Sequence, residues 1–134
     1  MSTLIIKTNH YQGGIVLNIR RGDIVFVDLP VVKGSIQGGC RPCVVVQNDM
    51  GNTFSPLCLV APITSSSTKK RLPTHVEYEH LDSKAMSVRN TVLCEQIFTV
   101  LKTDIDSSRP KNLRMTEETM RKIDEALKIS LGLK

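Results

Sequence analysis

The chain has 134 residues, of which 40% are hydrophobic and 23% charged, and this predicts one globular domain with a single core. Its net charge of +5 favours acidic partners only mildly and does not by itself indicate nucleic-acid binding. No apolar run is long enough to span a bilayer and the N-terminus lacks the apolar stretch of a secretory signal, so we expect a cytoplasmic protein that makes no use of a membrane.

Residues 1–19 are predicted to be an extension outside the domain, which we place at residues 20–134. Gln12-Gly13-Gly14 can be encoded by a purine-rich stretch that resembles a bacterial ribosome-binding site, with Val16 or Leu17 at a plausible distance for a non-AUG start codon. We therefore expect the natural protein to begin near Leu17. Detection of an intact native peptide covering residues 1–16 by mass spectrometry would contradict this expectation.

Short strands are predicted over most of the domain. Apolar, β-branched and aromatic residues in alternation or in short runs indicate strands at residues 23–29, 42–48, 56–64 and 73–79, and one or two more within 90–101. The run at 56–64 is almost continuously apolar, as in a central strand buried on both sides. Turn-forming residues at 48–52 predict a turn, and residues 65–71 predict a flexible basic loop.

The pattern changes to a helical period at the C-terminus. Thr116 is a good N-cap, apolar residues then recur at helical spacing from Met120 to Leu131, and Gly132 suits the end of a helix. The width of this apolar stripe is more typical of core packing than of a binding surface. Many short strands with one or two helices predict a small, strongly bent antiparallel barrel.

Four cysteines allow two interpretations. Cys40 and Cys43 have the C-x-x-C spacing of a redox pair or of half a zinc site, but Cys58 and Cys94 do not form the second close pair that a four-thiolate zinc site needs. Cys43, Cys58 and Cys94 lie in apolar runs, which favours buried and inert thiols. We therefore expect no metal or cofactor, and an exposed, oxidisable thiol at Cys40.

A glycine-rich segment at residues 34–42, Gly-Ser-Ile-Gln-Gly-Gly-Cys-Arg-Pro, separates the first two strands. Three glycines followed by Arg41 are typical of a loop that brings a guanidinium to a rim, and the planar donor fork of arginine matches phosphate oxygens. A long hairpin loop with a solvated arginine explains the same composition. Composition alone leaves both interpretations open.

An ordered series of segments resembles the MazF/PemK toxins of toxin–antitoxin modules. The matching segments are residues 22–29, 34–42, 46–49, 62–64, 72–76, 95–97 and, for the last helix, 123–133. The resemblance implies the small SH3-like antiparallel β-barrel shared with CcdB toxins, a homodimer, and a MazE-like antitoxin as partner. It also implies sequence-specific, metal-independent cleavage of single-stranded RNA, including mRNA, to a 2′,3′-cyclic phosphate and a 5′-hydroxyl.

By the same resemblance, the catalytic positions are Arg41 and Thr64. Attack of a ribose 2′-hydroxyl on the adjacent phosphorus builds negative charge on the non-bridging oxygens, which a cation and a neutral donor can stabilise. Arginine stays protonated and is a poor general base, so we expect Arg41 to stabilise the phosphorane and to donate a proton to the leaving 5′-oxygen. The identity of the general base is left open.

Eight further positions are expected by resemblance to contact the RNA: Ser35, Gln37, Gly38, Ser65, Pro73, His75, Glu95 and Gln96. For His75 we favour a structural role, in which it fixes a strand end through a hydrogen bond, over proton transfer. Two positions depart from the family pattern. Ile36 replaces the usual glutamate of the first loop, and Phe98 replaces a common basic residue but has a ring that can stack on a base.

Two other functions remain open at this point. The chain could instead be a non-catalytic inhibitor of a protein such as gyrase, like the CcdB toxins on the same fold, or a nucleic-acid-binding barrel without activity. The pairing of Arg41 with Thr64 separates these possibilities, because an inhibitor of gyrase has no need for it.

Overall fold

The computed structural model describes residues 18–30, 38–65, 71–81, 84, 86–109 and 113–134. Within these ranges there are six strands, two α-helices and one 3-10 turn: β1 (Ile24–Leu29), β2 (Gly39–Val45), α1 (Asp49–Phe54), β3 (Leu57–Thr64), β4 (His75–Leu81), β5 (Ser87–Leu93), β6 (Phe98–Leu101), the turn Lys102–Asp104, and α2 (Glu117–Leu131). The predicted mainly β architecture with a C-terminal helix is confirmed.

Strand β3 is the centre of an antiparallel sheet with the order β1-β2-β3-β5-β4. Val60 pairs with Val45 of β2 and with Phe98 of β6, while Ile63, nearer the end of β3, pairs with Val92 of β5. The second half of β3 is buried throughout. The apolar run predicted as a central strand therefore has this position.

The strands separate two apolar clusters because their side chains alternate between the sheet faces. On β2, Val44 belongs to a cluster that includes Ile123 and Ala126 of α2. Its neighbours Cys43 and Val45 belong to a second cluster on the other face. We call these the helix face and the open face of the sheet.

Helix α2 begins and ends as its sequence predicts. The Thr116 hydroxyl accepts a 3.1 Å hydrogen bond from the amide of Thr119, and Gly132 adopts a left-handed conformation with φ of 70°. Ile123 lies on the buried side of the helix and is fully buried. Neither α2 nor any other helix in the described ranges has the length and apolar character needed to cross a membrane.

The turn predicted at residues 48–52 is wrong, because this segment forms the start of α1. The Asn48 side chain accepts a 2.8 Å hydrogen bond from the amide of Gly51, which caps the helix. Asn52 is 2% exposed, and its side-chain nitrogen donates to the carbonyl of Gln47. The polar residues that favour turns here cap and anchor a short helix instead.

The predicted SH3-like barrel is confirmed only in part, because strand pairing in the described residues forms an open path that ends at β1 and β4 and does not close into a barrel. Val27 of β1 pairs with Arg41 on one side and forms an isolated bridge to Ile105 on the other. A second bridge joins Asp23 to Arg114. The outer side of β1 is therefore contacted by the segments before α2, and no described pairing joins β1 to β4.

Candidate active site

Arg41 lies on β2 with its side chain half-buried. Its Nε donates a 3.1 Å hydrogen bond to the carbonyl of Gly38, at the start of the described part of the loop. This bond holds the guanidinium through its Nε. The two terminal nitrogens take no part in it. Gly38, predicted to contact RNA, is thus placed where its carbonyl orients Arg41.

Thr64 and Arg41 lie at the same end of the β2–β3 pair. The pairing ends at Cys43 of β2 and Pro62 of β3, and Arg41 and Thr64 are each two residues beyond that last pair. Arg41 alternates in step with Cys43, and Thr64 with Val60, so both project towards the open face. Thr64 ends β3 and is 3% exposed, whereas the next residue, Ser65, is exposed.

The four cysteine thiols differ in acidity because three of them are buried and one is exposed. Burial raises the pKa of Cys43 to about 12, although the positive charge of Arg41 opposes this rise. Burial likewise raises the pKa of Cys58 to about 11 and that of Cys94 to about 12. Cys40 is exposed, which confirms the predicted division.

The C-x-x-C pair does not have the geometry of a redox pair. Cys40 and Cys43 lie three residues apart on one strand, so their side chains project from opposite faces. All four cysteines are free thiols.

His75 is at the beginning of β4 and is held by hydrogen bonds. Its Nε2 lies 2.9 Å from Oε2 of Glu95, and its Nδ1 accepts a 3.4 Å hydrogen bond from the amide of Leu72. A ring whose Nδ1 accepts carries its proton on Nε2, so Nε2 donates to Glu95. The other Glu95 oxygen accepts from the Thr74 hydroxyl at 3.1 Å.

This geometry agrees with the structural role favoured for His75 from the sequence. Both ring nitrogens are engaged and the side chain is only 8% exposed. Strands β3 and β5 lie between β4 and β2, so the path along the sheet from the strand of His75 to that of Arg41 is roughly 14 Å at the usual spacing of neighbouring strands. His75 is therefore poorly placed to accept a proton beside Arg41.

A groove of about 700 Å³ lies between the beginning of β4 and helix α2. Pro73 and His75 line it together with charged residues of both elements. Arg71 and Glu77 form a 2.9 Å ion pair at the same groove. The predicted RNA contacts at Pro73 and His75 are thus close to one another but separate from Arg41.

The remaining predicted positions fall in three places. Glu95 and Gln96 lie in the turn between β5 and β6, where Gln96 is half-buried. Phe98 begins β6 and packs against the apolar cluster of the open face. Ser35, Ile36 and Gln37 lie outside the described residues.

Sequence reasoning missed Thr91, which is the direct pairing partner of Thr64 on β5. It is 5% exposed and lies on the same face as Thr64. The available signal was a polar residue two positions before the buried Leu93, where an inward-facing strand position is usually apolar.

Solved structures with this architecture define a class of small toxin folds. A crystal structure of MazF from Deinococcus radiodurans is 22% identical, covers 88% of this chain and all of that chain, and superposes with a TM-score of 0.64. A mycobacterial endoribonuclease solved in complex with its cognate antitoxin is 25% identical, with coverage of 87% and 97% and a TM-score of 0.63. The fold is therefore the MazF-like fold.

The family model for the PemK-like, MazF-like toxin of type II toxin–antitoxin systems matches residues 20–131. Endoribonuclease EndoA of Bacillus subtilis (strain 168) is 46% identical over 117 residues, which are 86% of this chain and 96% of that protein. This chain belongs to the PemK-like, MazF-like toxin family, and the resemblance noted in the sequence is confirmed.

Proposed function

We propose that this chain is a homodimeric, sequence-specific endoribonuclease toxin that cleaves single-stranded RNA without a metal ion. The ribose 2′-oxygen loses its proton to solvent water and attacks the adjacent phosphorus, the bond to the 5′-oxygen breaks, and the products carry a 2′,3′-cyclic phosphate and a 5′-hydroxyl. Family membership and the similarity to an endoribonuclease support the activity. The single observation that carries the chemistry is the pairing of Cys43 with Pro62, beyond which Arg41 and Thr64 follow at the same end of the two strands.

Arg41 supplies the positive charge in this proposal. Its Nε bond to the Gly38 carbonyl holds the plane of the guanidinium before the substrate arrives, so little reorganisation is needed in the transition state. The terminal nitrogens then donate to a non-bridging oxygen of the phosphorane. Each well-placed donor contributes about 3 kcal/mol by analogy with oxyanion holes.

Thr64 supplies the neutral donor. Its position at the end of the central strand restricts the backbone, and its β-branched side chain has few rotamers. Because the residue is nearly buried while Ser65 is exposed, the phosphate approaches from the Ser65 end of β3. Arg41 also donates the proton that the 5′-oxygen needs as it leaves, and the guanidinium regains a proton from solvent water.

His75 and its neighbours bind the RNA rather than move the proton. Its ring is held by Glu95 and by the Leu72 amide. Two strands, β3 and β5, lie between its strand and β2. Glu95 accepts one hydrogen bond on each oxygen from this chain, and the second lone pair of each oxygen remains for donors on a base edge. The other proposed contacts are Ser35, Gln37, Gly38, Ser65, Pro73 and Gln96.

An antitoxin of the MazE type is the proposed protein partner, acting with the toxin in the cytoplasm. A structural neighbour is an endoribonuclease in complex with its cognate antitoxin. The net charge of +5 suits a partner whose disordered segment is acidic and competes with RNA. The alternative of a CcdB-like gyrase inhibitor is not favoured, because it leaves the Arg41–Thr64 arrangement without a use.

Turnover of a defined single-stranded RNA by the antitoxin-free protein tests the catalytic assignment. We expect Arg41→Ala and Thr64→Val each to lower kcat at least a hundredfold with KM changed much less, since both donors act mainly on charge formed in the transition state. Circular dichroism and thermal unfolding check that each variant folds.

Arg109→Ala is the matched control for the loss of one positive charge. Arg109 pairs with Asp106 at 3.3 Å and stacks on Phe26, away from β3. Its variant should cleave at the rate of the unmodified chain. Near-full turnover by Arg41→Ala or Thr64→Val would overturn the assigned roles.

A further inference from the structure

Glu95 lies in the turn between β5 and β6, and its carboxylate is held at both oxygens. Thr74, just before β4, donates a 3.1 Å hydrogen bond from Oγ1 to Oε1 of Glu95. Nε2 of His75 lies 2.9 Å from Oε2, and it is the donor because Nδ1 accepts from the Leu72 amide. Two consecutive residues therefore fix the orientation of one carboxylate.

The backbone on both sides of this contact is also held. The amide of Cys94 donates a 3.0 Å hydrogen bond to the carbonyl of Thr74, and the amide of Gln96 donates at 3.1 Å to the carbonyl of Leu93. The turn that carries Glu95 is thus closed by its own hydrogen bond and attached to the segment before β4. The carboxylate consequently has a fixed position before any RNA binds.

Burial distinguishes the supporting side chains from the acceptor. Thr74 is 8% exposed and the side chain of His75 is also 8% exposed, whereas the side chain of Glu95 is 28% exposed. The carboxylate is therefore the member of this group that reaches solvent. Each of its oxygens has a lone pair beyond the bond already formed, which an N–H of an RNA base can fill.

The negative charge of Glu95 makes RNA binding selective at this point. The Thr74 hydroxyl and a His75 ring whose Nδ1 accepts are both neutral donors, so they leave that charge in place. RNA that covers the carboxylate removes water from it and brings phosphates near it, and both effects disfavour binding. A base that donates to the carboxylate offsets these costs, while a base without a suitable donor leaves the charge unpaired.

Exocyclic amino groups are the donors that fit this carboxylate best. Adenine, cytosine and guanine each carry one at the edge of the ring. Uracil has only a ring N–H between two carbonyl oxygens, and the carboxylate repels those oxygens. The geometry therefore favours an amino-bearing base beside Glu95.

We infer that Glu95 selects an amino-bearing base at one position of the RNA, and that Thr74 is a positioning residue which acts on this selection through the carboxylate. The inference rests on the proposed function and deepens it, because it takes RNA as the substrate. It requires that loss of the Thr74 hydroxyl change the preference for one base rather than the chemical step at the phosphate.

Analogues of the RNA bases test the selection. Cleavage of a randomised single-stranded RNA by the full chain first gives the sequence that it cuts. Each amino-bearing nucleotide of that sequence is then replaced singly by purine riboside for adenosine, inosine for guanosine, or pyrimidin-2-one riboside for cytidine. The measured quantity is the ratio of kcat/KM for the RNA to kcat/KM for its analogue. We expect a ratio of about tenfold or more at one position, the effect of a lost hydrogen bond to a charged group.

Variants of Glu95 and Thr74 assign that ratio to the carboxylate. Glu95→Gln keeps the size of the side chain and should lower the ratio to about threefold or less at that position alone. Thr74→Val should lower it about threefold or more at the same position, while Thr74→Ser keeps the hydroxyl and should stay within about twofold of the unmodified chain. Adding Thr74→Val to Glu95→Gln should change the ratio no further, because the effect passes through the carboxylate.

Thr99→Val, at an exposed position on β6, is the control for replacing a strand threonine and should change neither kcat/KM nor the ratio. Thermal unfolding establishes that each variant is folded at the assay temperature. Thr74→Ala removes the hydroxyl from a smaller side chain and takes the place of Thr74→Val if valine prevents folding.

Four results would overturn the inference: a cut sequence in which no amino group affects cleavage, a ratio unchanged in Glu95→Gln, equal losses in Thr74→Val and Thr74→Ser, or a further loss when Thr74→Val is added to Glu95→Gln. Each of these leaves an active endoribonuclease in place. An unmodified chain that cleaves no RNA would instead refute the proposed function. The two failures are therefore distinguishable.

Discussion

At the scale of single residues, the proposed site depends on Arg41 and Thr64 lying at the same end of the β2–β3 pair. The sequence offers these two residues only through the family resemblance, because their separation along the chain gives no reason to place them together. Antiparallel pairing of Cys43 with Pro62 supplies that reason. The position of Thr91 opposite Thr64 likewise cannot be predicted from the sequence, because it depends on the pairing of β3 with β5.

Cysteine reactivity gives a prediction at this scale. We expect a maleimide or iodoacetamide at pH 8 to modify Cys40 alone in the folded chain, because burial raises the pKa of Cys43, Cys58 and Cys94 and keeps those thiols protonated. Peptide mass spectrometry after a short labelling time measures the modified positions.

Labelling in denaturant is the control, and there all four thiols should react. Cys40→Ser should remove the rapid modification of the folded chain. Rapid labelling of Cys43 before Cys40 would contradict the orientation of β2.

At the scale of elements, sequence periodicity predicted long and regular segments well and short polar ones poorly. Strand β3 and helix α2 are predicted because apolar residues fill either a continuous run or a helical stripe. The segment that forms α1 was misread as a turn, because asparagine and aspartate favour turns and helix N-termini alike. Burial of Asn52 against Gln47, a tertiary effect, decides between the two.

Helix α2 provides a test of its packing role through two isoleucines. Ile123 is fully buried against the sheet, whereas Ile129 is 54% exposed. We expect Ile123→Ala to lower the free energy of unfolding by about 3 kcal/mol through lost contacts and a cavity. Ile129→Ala should stay within about 0.5 kcal/mol.

Urea unfolding followed by circular dichroism measures both variants, with the midpoint and slope fitted together. Similar losses for the two isoleucines would show that the exposed side of α2 is covered in solution, and would contradict its assignment as an outer surface.

At the scale of the whole molecule, one face of the sheet contributes to stability and the other carries the proposed catalytic residues. Helix α2 packs on one face, while Arg41, Thr64 and Thr91 project from the other. The sequence predicts the strands and the helix that build this arrangement, but it also predicts a barrel, whereas the sheet of the described residues is not closed. Closure depends on which edge strands pair with each other. Composition and periodicity carry no information on pairing between strands that are distant in the sequence.

The molecule as a whole is most directly tested by the products it forms. We expect the purified, antitoxin-free chain to cleave single-stranded RNA in excess EDTA, since the proposed stabilising charge comes from Arg41 rather than from a metal ion. Mass spectrometry of the fragments should find a 2′,3′-cyclic phosphate on one end and a 5′-hydroxyl on the other. Cleavage that stops in EDTA, or fragments with a 5′-phosphate, would contradict the account.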